Sequence, residues 1–178
     1  MTNVEVRKAS AAAFRGELIV VCHFEGSKKL EGAALEIDRA SGGILGDLLE
    51  HGDFTGKHAQ VSVVYTRGAL PAHRVLLLGL GKKKECDLEK LRRGFSKAAR
   101  AVRELGVAEF AIRLDPVGGA QSPEDLTEAV VEGVLLGLYR FMQFKTSDKD
   151  GNKDIRKVQL LAAGDQEARR MKAAAGAA

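Results

Sequence analysis

Tryptophan is absent from this chain and aromatic residues supply only 5% of its 178 positions, so the core it buries must be mostly aliphatic. Its two cysteines, Cys22 and Cys86, lack a CxxC spacing; one sits in an apolar run and the other in a charged loop. Two free thiols in a reducing compartment fit this placement, which argues against a disulfide-stapled secreted domain. No apolar run reaches the roughly 18 residues of a membrane span. The opening MTNVEVRKAS has no apolar signal segment, so a soluble intracellular protein is expected. No internal repeat is visible. Neither sign of charge dominates: the net charge of +4 permits contact with nucleic acid without requiring it.

What is present is globular material. Hydrophobic residues at 45% and charged residues at 29% exclude a disordered tail, and the length suits one domain of ordinary size. Val4 and Val6 alternate with Glu5 and Arg7, which predicts a half-exposed strand. The unbroken run from Leu18 to Cys22 predicts a strand buried on both faces. Leu35, Ile37, Ile44, Leu45, Leu48 and Leu49 then mark a helix, with a break near Ser41 at Gly42 and Gly43 and a glycine stop at Gly52. HAQVSVVYTRG and RVLLLGLG read as two further strands. Leu91, Phe95, Ala98, Val102 and Leu105 form one helical stripe, which Gly106 ends before the strand EFAIRL.

Ser122, Pro123 and Asp125 announce another helix: a capping serine, proline in the first turn and an acid three residues after the cap. From Val130 to Phe141 that helix is apolar almost all round, so it needs cover on more than one side. KTSDKDGNKDIRK is a polar loop and KVQLLAA a last short strand. Asp165 opens a final helix with no evident apolar stripe and no terminating cap, expected to continue beyond Ala178 as a connection. From His73 to Phe141 the order is strand, helix, strand, helix with short links, which predicts a sheet layered between helices.

Catalytic motifs are incomplete wherever they begin. Gly79 and Gly81 follow a strand, but Lys84 stands where a dinucleotide fingerprint needs its third glycine, and Lys83 where a P-loop needs Ser or Thr. A tight strand-to-loop exit explains them. The Asp148 to Asp154 segment resembles a calcium loop, yet Lys153 and Gln159 replace the required glycine and glutamate, so it reads as a solvated loop. His23, His51, His58 and His73 share no metal-ligand spacing and read as surface or strand-end residues. No G-x-S-x-G elbow occurs. The SGGILGD segment could cradle a phosphate, because glycine lets backbone N–H groups approach an anion; a broken helix explains it equally. The candidate functional surface is Lys82, Lys83, Lys84, Lys90, Arg93, Lys97 and Arg100, which together could meet a phosphate backbone. A solvated helix face with Glu89 and Glu104 mixed in is the alternative.

Taken in order, DFTGK (Asp53 to Lys57), HRVLLLGLGKKK, LRRGFSKAARAVRELG and LTEAVVEGVLLGLYRF resemble the N-terminal domain of the cytosol (leucyl) aminopeptidase family. The resemblance runs from Gly16 to the end of the chain. It implies a macro-domain-like α/β fold, a three-layer sandwich with a mixed, mostly parallel sheet of about six strands between helices. Residues 1–164 would form that domain, and 165–178 the start of a linker helix to a catalytic domain. The family's metal ligands and catalytic lysine and arginine belong to a motif, N-T-D-x-E-G-R, that does not occur here, so no catalytic or metal residue is carried over.

The implied parent is a cytoplasmic, homo-hexameric leucyl aminopeptidase with two divalent metals, Zn or Mn, in its catalytic domain. No cofactor and no membrane contact is expected of this chain, whose first partner would be its own catalytic domain. Its expected role is to support assembly or access to the active site. Some bacterial members also bind DNA. Two other readings stand beside it: an ADP-ribose or nucleotide reader using SGGILGD, and a DNA-binding surface on the basic helix.

Overall fold

Unbroken aliphatic runs need apolar cover on both faces, and two such strands form the centre of this sheet. In the computed structural model, which describes residues 2–117, 122–139 and 154–176, β2 (Gly16–Glu25) pairs in parallel with β4 (Ala72–Lys82). Four shorter strands complete the sheet: β1 (Asn3–Lys8), β3 (Val61–Tyr65), β5 (Glu109–Ile112) and β6 (Lys157–Ala162). The order is β1-β6-β5-β2-β4-β3, and every pair is parallel except antiparallel β3 on β4. The expected mixed, mostly parallel sheet is therefore present.

Successive side chains of β2 serve two separate cores. Leu18 and Val20 face one layer, Ile19 and Val21 the other, and all four are at 0% exposure. The first layer holds α3 (Leu88–Glu104), α4 (Pro123–Leu138) and α5 (Asp165–Ala175); the second holds α1 (Gly32–Ser41) and α2 (Ile44–Glu50). The break between α1 and α2 falls at Gly42 and Gly43, both with left-handed φ, 77° and 98°. In α3 the stripe of Leu91, Phe95, Ala98 and Val102 is buried, and the larger of these side chains contribute about 1.5–3 kcal/mol each. Asp87 caps this helix by accepting the Lys90 N–H at 2.7 Å.

The start signal for α4 is realised as a full capping box: Ser122 Oγ accepts the Asp125 N–H at 3.1 Å, and the Asp125 carboxylate accepts the Ser122 N–H at 3.3 Å. Its cover comes from neighbouring helices as well as the sheet. Gly133 and Gly137, one turn apart, lie directly on the α3 backbone; a Cβ on either would come within 2.5 Å of Arg92 O and 2.4 Å of Ser96 O respectively. The expected cover on more than one side is therefore present. Leu136 and Tyr139 are 63% and 73% exposed, and Phe141 lies outside the described residues.

One correction concerns α5. It does carry a stripe: Ala168, Met171 and Ala174 are buried at three-residue spacing, packing toward α4 and β1. Two of the three are alanines, a face too small to stand out in a hydropathy pattern. Arg170 further ties α5 to α4 through a two-pronged contact with Glu124, at 2.5 and 2.8 Å. That contact holds the Glu124 carboxyl below its ordinary range.

Candidate functional site

In an open α/β sheet, a ligand is expected beyond the carboxyl ends of the strands, where neighbouring connections leave for opposite faces. Here β2 leads to α1 on one face, while β4 and β5 lead to α3 and α4 on the other. The crevice at that point is narrow, about 60 Å³, with Cys22, His23, Ser27, Gly32, Lys83 and Asp115 in its walls. A larger apolar cavity of about 360 Å³ lies beside it, bounded by Leu114, Leu126, Val130, Leu160 and Met171. Its polar side chains are already held: Thr127 donates to Pro123 O at 2.7 Å, and Glu167 accepts from Arg113 at 3.1 Å and from the Ala163 N–H at 2.6 Å.

The anion position of the crevice is filled by one of the chain's own carboxylates. Asp115, after β5, accepts the Ala33 N–H in the first turn of α1 at 2.7 Å. Gly32 makes room for it: a Cβ there would lie 2.2 Å from the Asp115 carboxylate, and φ is +54°. In a separate open hollow, Asp38 of α1 accepts through Oδ1 the N–H groups of Leu45 at 2.9 Å and Gly46 at 2.7 Å at the start of α2. These are two of the amides that SGGILGD would offer to a phosphate, and the break at Gly42 and Gly43 matches the broken-helix alternative. An incoming phosphate would have to displace a carboxylate and would meet its negative charge.

The titratable residues of the crevice do not form a reactive pair. Cys22 and His23 are consecutive in β2, so they point to opposite faces. Burial, and then the charge of Asp115, push the Cys22 thiol well above its ordinary value; burial and then Asp87 raise that of Cys86. Both cysteines are free thiols, as the sequence indicated. His23 is a strand-end residue but not a surface one, being only 5% exposed. Its Nε2 lies 3.1 Å from Ser27 O, an acceptor, which places the proton on Nε2, and burial lowers its pKa below 6.5. His58 Nε2 likewise lies 2.8 Å from Lys90 O. Among the described residues no three His, Cys, Asp or Glu side chains are gathered to hold a metal ion. The Asp148 to Asp154 segment lies outside the described residues except for Asp154.

Gly79 and Gly81 have a structural task. The DFTGK loop crosses the end of β4, where Gly81 N–H donates to Gly56 O at 2.9 Å and Ala59 N–H to Gly79 O at 2.9 Å. A Cβ on Gly79 would lie 2.1 Å from Lys57 O, so only glycine admits the loop. Gln60 fixes it from within, its Oε1 accepting the N–H groups of Thr55 and Gly56, each at 3.1 Å.

The seven candidate basic residues divide between different tasks. Lys83, in a 3-10 turn (Lys83–Glu85), sits over the Phe24 ring at 5.7 Å. Lys90 pairs with Glu85 at 3.4 Å, and Arg93 with Glu89 at 2.9 Å. Lys82, Lys84, Lys97 and Arg100 are exposed, and among the described residues they have no carboxylate partner. Reading from sequence missed Asp38, Asp115 and Gln60. Asp115 joins a residue 82 positions away, a link for which the sequence holds no local signal.

A six-stranded mixed sheet between two helical layers, with its crevice at the carboxyl ends of the parallel strands, is the macro-domain class of fold. A Trypanosoma brucei macrodomain in complex with ADP superposes with a TM-score of 0.71 at 14% identity, over 96% of this chain and 68% of that one. A tomato leucine aminopeptidase mutant superposes with a TM-score of 0.74 at 20% identity, over 98% of this chain but 35% of the other. Sequence comparison narrows the class. Residues 20–148 match the cytosol aminopeptidase family, N-terminal domain. A probable cytosol aminopeptidase of Roseiflexus castenholzii is 44% identical over 122 residues, which cover 68% of this chain and 25% of that relative. The chain belongs to the cytosol aminopeptidase family and forms its N-terminal domain. It spans only about a quarter to a third of the length of the curated relatives it matches.

Proposed function

We propose that this domain is the non-catalytic part of a cytosolic, metal-dependent aminopeptidase, acting as a scaffold that supports assembly or access to a catalytic domain elsewhere in the protein. The observation that carries this reading is the state of the crevice. Its α1 amide, at Ala33, is bonded to Asp115, and in the adjoining hollow the Leu45 and Gly46 amides are bonded to Asp38, while burial raises the pKa of Cys22. Carboxylates placed this way tie α1 to the end of β5 and α2 to α1, which supports a scaffolding role. Two divalent metals would be held by the remaining length that the relatives possess, where they would supply an activated water and a polarised carbonyl. No helix among the described residues is long and apolar enough to cross a membrane, in keeping with a cytosolic setting.

The 178-residue chain is expected to release no p-nitroaniline from leucyl-p-nitroanilide, with or without added Zn²⁺ or Mn²⁺. Metal-stimulated hydrolysis by the purified chain would overturn the reading. A nucleic-acid role for the basic helix is weakened by the ion pairs of Lys90 and Arg93, which already engage two of its charges.

A further inference from the structure

β3 is an outer strand, and its pairing shows which backbone groups face outward. In an antiparallel pair, alternate residues bond to the partner strand. Gly79 N–H donates to Gln60 O at 2.8 Å and Thr66 N–H to His73 O at 3.0 Å, so Gln60, Ser62, Val64 and Thr66 face β4. The N–H and C=O groups of Val61, Val63 and Tyr65 therefore point away from the sheet, and among the described residues nothing bonds to them. An edge of this kind is a template for another strand.

Positive charge gathers at one end of that edge. Arg15, Arg67 and His73 line an open hollow of about 610 Å³ together with Tyr65, and among the described residues no acidic residue lines it. Arg74 lies 5.3 Å from the centre of the Tyr65 ring, which is 59% exposed. Among the described residues Arg15, Arg67 and Arg74 form no ion pair, whereas Arg92, Arg93, Arg113 and Arg170 all do.

Arg67 is also held in an unfavourable place. It occupies the tip of the turn closed by the Ala69 N–H and Thr66 O at 2.9 Å, with φ +50° followed by +87° at Gly68. Two successive left-handed residues suit Asn-Gly or Gly-Gly; a long side chain in the first position is strained. A strained backbone that presents a guanidinium at the head of an open edge suggests a role in binding.

We propose that the β3 edge, with Arg15, Arg67 and Arg74 at its end, docks an extended acidic polypeptide segment, which adds to the sheet as a further strand. The outward backbone groups select a polypeptide over a nucleic acid: they offer donors and acceptors at strand spacing, and a phosphodiester chain has no N–H to answer the acceptors. The guanidinium groups would take the carboxylates of the added strand.

The test is fluorescence anisotropy of a labelled (Glu-Thr)4 peptide with the 178-residue chain, beside the same peptide N-methylated at every amide. The unmodified peptide should bind about tenfold more tightly than the methylated one, a difference of about 1.4 kcal/mol. Binding should also slow amide hydrogen exchange at Val61, Val63 and Tyr65. Arg67→Gly should weaken binding while keeping or raising the thermal midpoint, because glycine relieves the turn; this separates lost recognition from lost folding. Equal affinity for the methylated peptide, or an unchanged affinity in Arg67→Gly, would overturn the proposal. So would tighter binding of a (dT)8 oligonucleotide at the same edge, or sedimentation showing that β3 pairs with a second copy of the chain.

Discussion

His23 shows what burial does to a single titratable group. It is 5% exposed, its ring lies 6.3 Å from that of Phe54, and its Nε2 is matched by the Ser27 carbonyl. The folded chain therefore favours neutral imidazole, and the pKa lies below 6.5. The unfolded chain takes up a proton near its ordinary value, while the folded chain waits for a lower pH. Unfolding then gains a proton as the pH falls, so the stability present above about pH 6.5 declines below it. The urea midpoint of the parent should drop more between about pH 7 and pH 5 than that of His23→Gln; parallel profiles would remove His23 as the responsible group. At this scale the glycines of β4 were legible as a tight exit, because a strand followed by Gly-x-Gly needs close backbone approach. Asp115 was not legible. Its acceptor role exists only once β5 lies beside α1.

Elements carry their own evidence in caps and periodicity, and these were read well. The break at Gly42 and Gly43, the stripe of α3 and the serine–proline start of α4 all recur in the structure. The contact between α3 and α4 was hidden, because a glycine in an apolar helix does not announce a neighbouring backbone. Gly137→Val should therefore destabilise the fold by about 1–3 kcal/mol by forcing Ser96 away, whereas Leu136→Ala on the exposed side should change stability by no more than about 0.5 kcal/mol. Denaturant titration of the two variants compares them directly, and equal midpoints would refute close packing at Gly137. The α5 stripe escaped notice for a related reason: alanine and one methionine bury little area and leave little periodic signal.

The whole molecule has the fold of macrodomains, one of which is solved with ADP, yet Asp115 in its crevice and Asp38 in the adjoining hollow occupy helix amides that an anion would use. Calorimetry with ADP-ribose should give no binding heat; micromolar affinity would show that Asp115 and Asp38 yield to a ligand. By itself, the sequence determined the elements, their order and the family, because periodicity, caps and ordered segments are local properties of the chain. It did not determine the crevice, the α3–α4 contact or the open β3 edge. Those depend on which distant groups meet: a carboxylate reaching a helix 82 residues away, a backbone pressed against glycine and, among the described residues, a strand left without an outer neighbour. Local pattern carries no record of such meetings, and only the packed sheet and its two helical layers decided them.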